Sequence, residues 1–313
     1  MTNKSCKSGV VSSVFSVLVL TFSLATSLLA QNTAQRTFST PQEAVDALIA
    51  ANRVNDVNAL DQILGPEATS LISSGDDTQD KNDRAHFVEL YDVQHHMVPA
   101  GVRRRFLVVG SNAWELPIPV VLSNGTWRFD SGEGVHELQA RRIGANELAA
   151  IDVCRALRKA QTDYAAAGHD GNPPGLFAQR FRSTPGKHDG LYWTVAEGEP
   201  QSPAGPLVAD AEAEGYAQGR RQPFHGYYFR ILRAQGSHAP GGAMDYVNGG
   251  RMNRGFAILA FPAEYGASGV MTFIVGRGGR VFQSDLGQST TDAARGINAF
   301  DPGPSWRMVS LAP

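Results

Sequence analysis

The chain has 313 residues, of which 42% are hydrophobic and 19% charged, with a formal charge of −2. A balance of 28 basic against 30 acidic residues excludes a general nucleic-acid binder. Cys154 is the one cysteine beyond the first thirty residues, which excludes an internal disulfide there and leaves a thiol expected on an apolar helix face.

The first stretch reads as a targeting segment. Lys4 and Lys7 precede the uncharged run Val10–Leu29, and Leu28-Leu29-Ala30 ends in a small residue. That is the layout of a secretory signal peptide cut after Ala30. The run is also long enough to be a retained anchor, but its serines and threonines and the polar chain behind it favour cleavage. Cleavage removes both lysines, moves the charge from −2 to −4 and leaves 283 residues, with no stable membrane span and export to the periplasm or beyond. A chain of that size exceeds one ordinary core and predicts two domains.

Thr40-Pro41-Gln42-Glu43 matches a capping box with proline at the first helical position, and Ala44, Val45, Leu48 and Ile49 give the helix one apolar face. Asp56 caps a second helix that Gly65-Pro66 stops. Residues 73–83 read as an acidic polar loop, followed by a third helix from about Arg84 to Met97. Strand alternation then covers Arg103–Gly110, Trp114–Leu122 and Thr126–Asp130. Asn124-Gly125 is a type I′ hairpin signal, and Pro117 with Pro119 suits an edge strand. Helices followed by a curved antiparallel sheet ending in Trp127-Arg128-Phe129 resemble the cone-shaped fold of nuclear-transport-factor-like proteins over roughly 38–135.

Strand alternation gives way through the glycine-bearing run SGEG to a connector at 137–145, dividing the chain into a unit at 31–140 and a unit at 141–313. Asn146 is the expected cap of a helix over 146–164, with Leu148, Ile151, Cys154, Leu157 and Tyr164 on one stripe. Residues 165–223 form a long loop rich in Gly and Pro. Four strands follow at Tyr227–Arg233, Gly255–Phe261, Val270–Val275 and Arg280–Ser284, with Gly278-Gly279 as a tight turn. Tyr227, Phe229, Ile231, Phe256, Ile258, Met271 and Phe273 are expected on one face of this meander. The class is therefore α+β.

The helix 146–164, the strand from Gly226 and the segment Pro262–Val270 before Phe273 resemble the head domain of some type IV pilin-like proteins. A pilin's apolar segment runs straight into its head helix, whereas here a whole unit intervenes, so the likeness implies a shared head fold without filament assembly. Phe38–Ala47, Ser183–Trp193, Gly226–Gln235 and Gly255–Gly287 carry a wider resemblance, to a bacterial secreted family catalogued as domain-of-unknown-function family 2950. That resemblance implies no activity.

Chemistry is sparse. His86, Glu89 and His96 share a face of the third expected helix, which reads as a solvated polar face in preference to a metal site because no H-E-x-x-H run accompanies them and the spacing covers nearly three turns. Asp130, Glu133 and His136 offer a general base in a cone-shaped cavity or a surface linker. Lys187, His188 and Asp189 lack a serine in a G-x-S-x-G turn. Tyr192, Trp193, His225, Tyr228 and Arg230 form the candidate ligand-binding set, since aromatics beside arginine anchor ligands. No metal or cofactor is expected. The leading reading is an exported envelope protein acting as a non-catalytic binding or interaction module, with an envelope protein or a small ligand as partner. Its alternatives are an acid–base enzyme working in a cavity of the first unit and a pilus-like structural subunit. An apolar cavity ringed by a carboxylate with a raised pKa would favour the enzyme.

Overall fold

A computed structural model describes residues 34–217 and 222–310, so the signal-peptide reading of 1–30 lies outside the described residues. Helix α1 (Pro41–Arg53) starts where the sequence places it: the Thr40 hydroxyl accepts from the Glu43 backbone at 3.1 Å, and Glu43 reaches back to the Ser39 N–H at 3.0 Å. Helix α2 (Val57–Leu64) is capped by Asp56 and ends at Gly65. A single helical turn, α3 (Thr69–Ile72), follows.

Helix α4 (Asp77–Val93) corrects the loop read at 73–83 and the helix read at 84–97. Asp76 is its N-cap, accepting from Gln79 N at 3.1 Å, and Asp77 and Asp80 lie in its first turn. The acidic run is therefore the signature of a helix start, where the macrodipole favours carboxylates. The helix stops four residues early because His95 and His96 belong to strand β1 (His95–Pro99), paired with Val109 and Val108.

Strands β2 (Arg104–Val109), β3 (Trp114–Glu115), β4 (Val120–Ser123) and β5 (Thr126–Phe129) complete an antiparallel sheet of order β1-β2-β4-β5, with β3 pairing on β2. Asn124 and Gly125 turn β4 into β5 with φ of 51° and 80°, as a type I′ turn requires. The expected edge strand is corrected: β4 lies between β2 and β5. The missing donors of Pro117 and Pro119 are absorbed by a break at 116–119, where Leu116 and Ile118 enter the core.

Helix α5 (Ser131–Ala166) runs unbroken for 36 residues, roughly 54 Å at 1.5 Å per residue. Residues 137–145, read as a connector, lie inside it, and it corrects the cap assigned to Asn146, which is buried within the helix and bonds Ser268 O and Gln79 Nε2. Gly134 has a packing reason: a Cβ there would sit 2.2 Å from Pro117 O. The buried stripe is Ile151, Cys154, Leu157, Ala160 and Tyr164; Leu148, expected on it, is 55% exposed. Helix α6 (Gly205–Ala213) interrupts the long loop.

The second sheet holds the expected strands as β6 (Tyr227–Leu232), β11 (Ala257–Pro262), β12 (Met271–Gly276) and β13 (Val281–Asp285), with β15 (Arg307–Met308) at its edge in the order β15-β13-β12-β11-β6. Between them lie two-residue strands, β7 (Ala234–Gln235), β8 (Met244–Asp245), β9 (Val247–Asn248) and β10 (Arg251–Met252), and after them α7 (Thr290–Gly296) and β14 (Ala299–Phe300). The turn after β12 spans four residues, with Gly279 at φ 81°, so the two-residue turn is corrected. Both faces are covered, which is why β11 is buried at every position. α5 packs with Tyr227, Ile258 and Phe273 on one face; Phe177, Tyr246 and Phe300 pack with Leu259 and Ile274 on the other. Phe256 precedes β11 and joins the second face, correcting its expected side. A separate core joins α1, α2 and α4 to the first sheet. Ala34–Pro313 packs as one compact α+β unit in which these cores stay distinct.

Candidate functional site

Helix α4 carries Asp80, Asp83, Arg84 and Phe87 at i, i+3, i+4 and i+7, which puts all four on one face. That face closes a cavity of about 200 Å3 against α1, α2, α3, the 114–118 segment and α5. Its walls are Leu48, Leu60, Leu71, Trp114, Ile118 and Leu138, so the lining is largely hydrocarbon.

The polar groups in this wall are few. Asp80 is 3% exposed; its Oδ2 accepts from Ser74 N at 2.8 Å, and its Oδ1 is buried without a hydrogen-bond partner. Burial pushes the Asp80 carboxyl above its ordinary value, against the opposing pull of the Ser74 hydrogen bonds, Arg142 and Arg84. Desolvation raises Asp83 also, although its accessible surface marks it as an exposed residue of the cavity lining, so Asp80 is the better-founded of the two. The same desolvation lowers Arg84. Arg84 donates to Asn55 Oδ1 at 2.6 Å and Ile72 O at 2.7 Å, and Arg142 donates to Ser70 O at 3.1 Å and Leu71 O at 2.5 Å. Both guanidiniums thus spend donors on the α3 backbone and hold its short turn over the cavity.

The profile of the family described as protein of unknown function (DUF2950) matches residues 35–309. The chain belongs to that family. No curated protein and no solved structure matches it.

The DUF2950 span therefore contains the cavity and every candidate residue read from the sequence, and the structure disperses those candidates. Tyr192 lines a second apolar cavity of about 450 Å3 with Leu157, Phe181, Phe224 and Phe229, and the Arg182 guanidinium lies 4.9 Å from its ring centre. Trp193 packs against His188, ring centres 4.4 Å apart. His225 is 3.4 Å from Glu214 and belongs to another hollow. Tyr228 and Arg230 leave β6 on the opposite side from Phe229: Tyr228 meets Phe261, and Arg230 donates to Ala294 O at the end of α7. Strand alternation along β6 thus turns Tyr228 and Arg230 away from the face that Phe229 shares with Tyr192.

Other candidates are dispersed as well. His86 and Glu89 form an exposed pair 3.5 Å apart, while His96 sits on β1; among the described residues no three metal-ligating side chains converge. Glu133 pairs with Arg104 outside the cavity. His188 lies 3.9 Å from Asp170, and Asp189 accepts from Thr184. Cys154 is fully buried, with its thiol pushed up to about 12 by burial. Among the described residues no helix is long and apolar enough to cross a membrane. Asp80 and Asp83 were hidden by the loop reading of 73–83. The D-x-x-D-R-x-x-F spacing was the signal that could have found them.

Proposed function

We propose that the chain is an exported binding protein whose cavity between α4, the first sheet and the start of α5 holds a small and mainly apolar molecule that donates one hydrogen bond to Asp80. The observation that carries this is Asp80, a buried residue that lines a hydrocarbon-walled cavity and whose Oδ1 has no hydrogen-bond partner. A buried acceptor without a donor costs free energy, which a ligand hydroxyl or amide would recover. Arg84 and Arg142 add positive charge beside the carboxyl, so a neutral donor suits the site better than an ammonium group. The volume of about 200 Å3 lies below the roughly 300–1,000 Å3 of ordinary ligand pockets, which restricts the ligand to about a single ring.

Phenol and toluene form the deciding pair, since they share a ring and differ in the donor. In NMR or calorimetric titration phenol should bind roughly tenfold more tightly than toluene, the worth of one good hydrogen bond. Asp80→Leu should erase the difference. Equal affinity of the two probes for the unaltered protein contradicts the proposal.

The raised Asp80 carboxyl also favours the acid–base reading, because a carboxyl moved toward neutrality can exchange a proton with a bound donor. That reading uses the same residue, with Asp83 at the rim as the second carboxyl.

A further inference from the structure

On the sheet face away from α5, the loop between β12 and β13 forms one wall of a cleft of about 720 Å3. Arg277 and Arg280 come from that loop, and Arg254 comes from the approach to β11. All three are exposed, no aspartate or glutamate lines the cleft, and none of the three forms an ion pair among the described residues. Arg277 rests 5.5 Å from the Phe177 ring centre, which orients the guanidinium and leaves its N–H edge available. The cleft floor is aromatic: Tyr246 and Phe300 are buried, Phe282 is half-buried, and Phe282 meets Phe300 edge-on at 5.9 Å.

Three uncompensated guanidiniums around one concavity are unusual on a chain whose formal charge is −2. Exposed arginines elsewhere divide between local ion pairs, as Arg53 with Asp92, Arg155 with Asp152 and Arg295 with Asp292, and single positions such as Arg36 and Arg103 that line none of the larger cavities; here three line the same cleft. Like charges gathered without a counter-charge repel, and a concave wall of one sign focuses its field on the solvent inside. Arginine's planar fork matches a phosphate or carboxylate bidentately, which gives the charge a specific receptor as well as a field.

We infer that this cleft binds a small oligoanion, a molecule carrying two or more phosphate or carboxylate groups that bridge Arg254 and the Arg277–Arg280 loop. The site lies in the C-terminal half and is independent of the cavity at Asp80. The aromatic floor accepts the uncharged part of such a ligand, while the rim holds its anionic groups. One group reaches Arg277 and Arg280 together, and a second is needed to engage Arg254 from the other wall.

Calorimetric titration of the full chain at low salt with inorganic tripolyphosphate, and separately with citrate, tests the site and distinguishes phosphate from carboxylate. At least one should bind, with affinity falling as salt is raised. Arg277→Gln/Arg280→Gln should weaken that binding tenfold or more, as should adding Arg254→Gln, while Lys187→Gln, an exposed charge outside the cleft, should leave it unchanged. These side chains are exposed, so circular dichroism and the urea midpoint of the variants should match the unaltered chain. The inference is overturned if neither anion binds, or if the triple arginine variant binds as well as the unaltered protein. Loss of binding from Lys187→Gln as severe as from the arginine variants also overturns it, since the effect would then be general charge.

Discussion

Asp76→Ala should cost at least about 3 kcal/mol of stability, combining a lost helix cap with donors stranded in the interior. Asp76 is 1% exposed and serves two structures at once. Its Oδ1 caps α4 through Gln79 N, while its Oδ2 accepts from Tyr216 OH at 3.0 Å and Gly226 N at 2.9 Å. These partners lie 140 and 150 residues away along the chain. Burial pushes the Tyr216 hydroxyl up, so it stays a donor across the whole working pH range. Alanine leaves Tyr216 and Gly226 without an acceptor and frays the turn that carries Asp80. Urea denaturation of the purified chain measures the loss, and a change of a few tenths would show that water replaces Asp76 without penalty.

Leu157→Ala should lose about 2–5 kcal/mol, the range for a leucine truncated in a packed core. Leu157 is 5% exposed, on the α5 face that covers Tyr227, Ile258 and Phe273. Leu148 on the same helix is 55% exposed, so its replacement by alanine should change stability by less than about 0.5 kcal/mol. Comparable losses at the two positions would mean that α5 is rotated from the orientation described.

These two residues also mark what the sequence could and could not disclose. The meander was legible because its strands are short, alternating or wholly apolar, and separated by turn residues. Helix α1 was legible because Thr40, Pro41 and Glu43 state its start in local chemistry. Leu148 and Leu157 both fit an apolar stripe, but only the tertiary partner decides which edge of a stripe is covered. The start of α5 was misread because glycine normally weakens a helix by about 1 kcal/mol relative to alanine. At Gly134 that cost is outweighed by the approach of Pro117 O, a contact from elsewhere in the chain. The turn at Gly278-Gly279 was located correctly and its length was not, since loop length is set by the register of β12 on β13.

The candidate site was less legible than the fold. The aromatic and arginine set chosen from sequence contained Tyr228 and Arg230 beside Tyr192, but alternation along β6 sends them to the other face. Asp80 was hidden for a different reason. An acidic run reads as solvated until Asp76 is recognised as a cap, after which the helical period turns Asp80 inward. Arg254, Arg277 and Arg280 share a cleft only because the sheet brings the approach to β11 beside the β12–β13 loop.

The central claim is that Asp80, buried in the lining of a hydrocarbon-walled cavity with one carboxyl oxygen lacking a hydrogen-bond partner, takes a donor from a bound ligand. Carbon-13 NMR of the aspartate carboxyl carbons, assigned with Asp80→Asn, follows its titration directly. Asp80 should titrate above the ordinary aspartate value of 3.8, and its midpoint should fall when phenol is added, because a donor bound to the carboxylate favours the ionised form. A midpoint at or below 3.8 that phenol leaves unmoved would contradict the account.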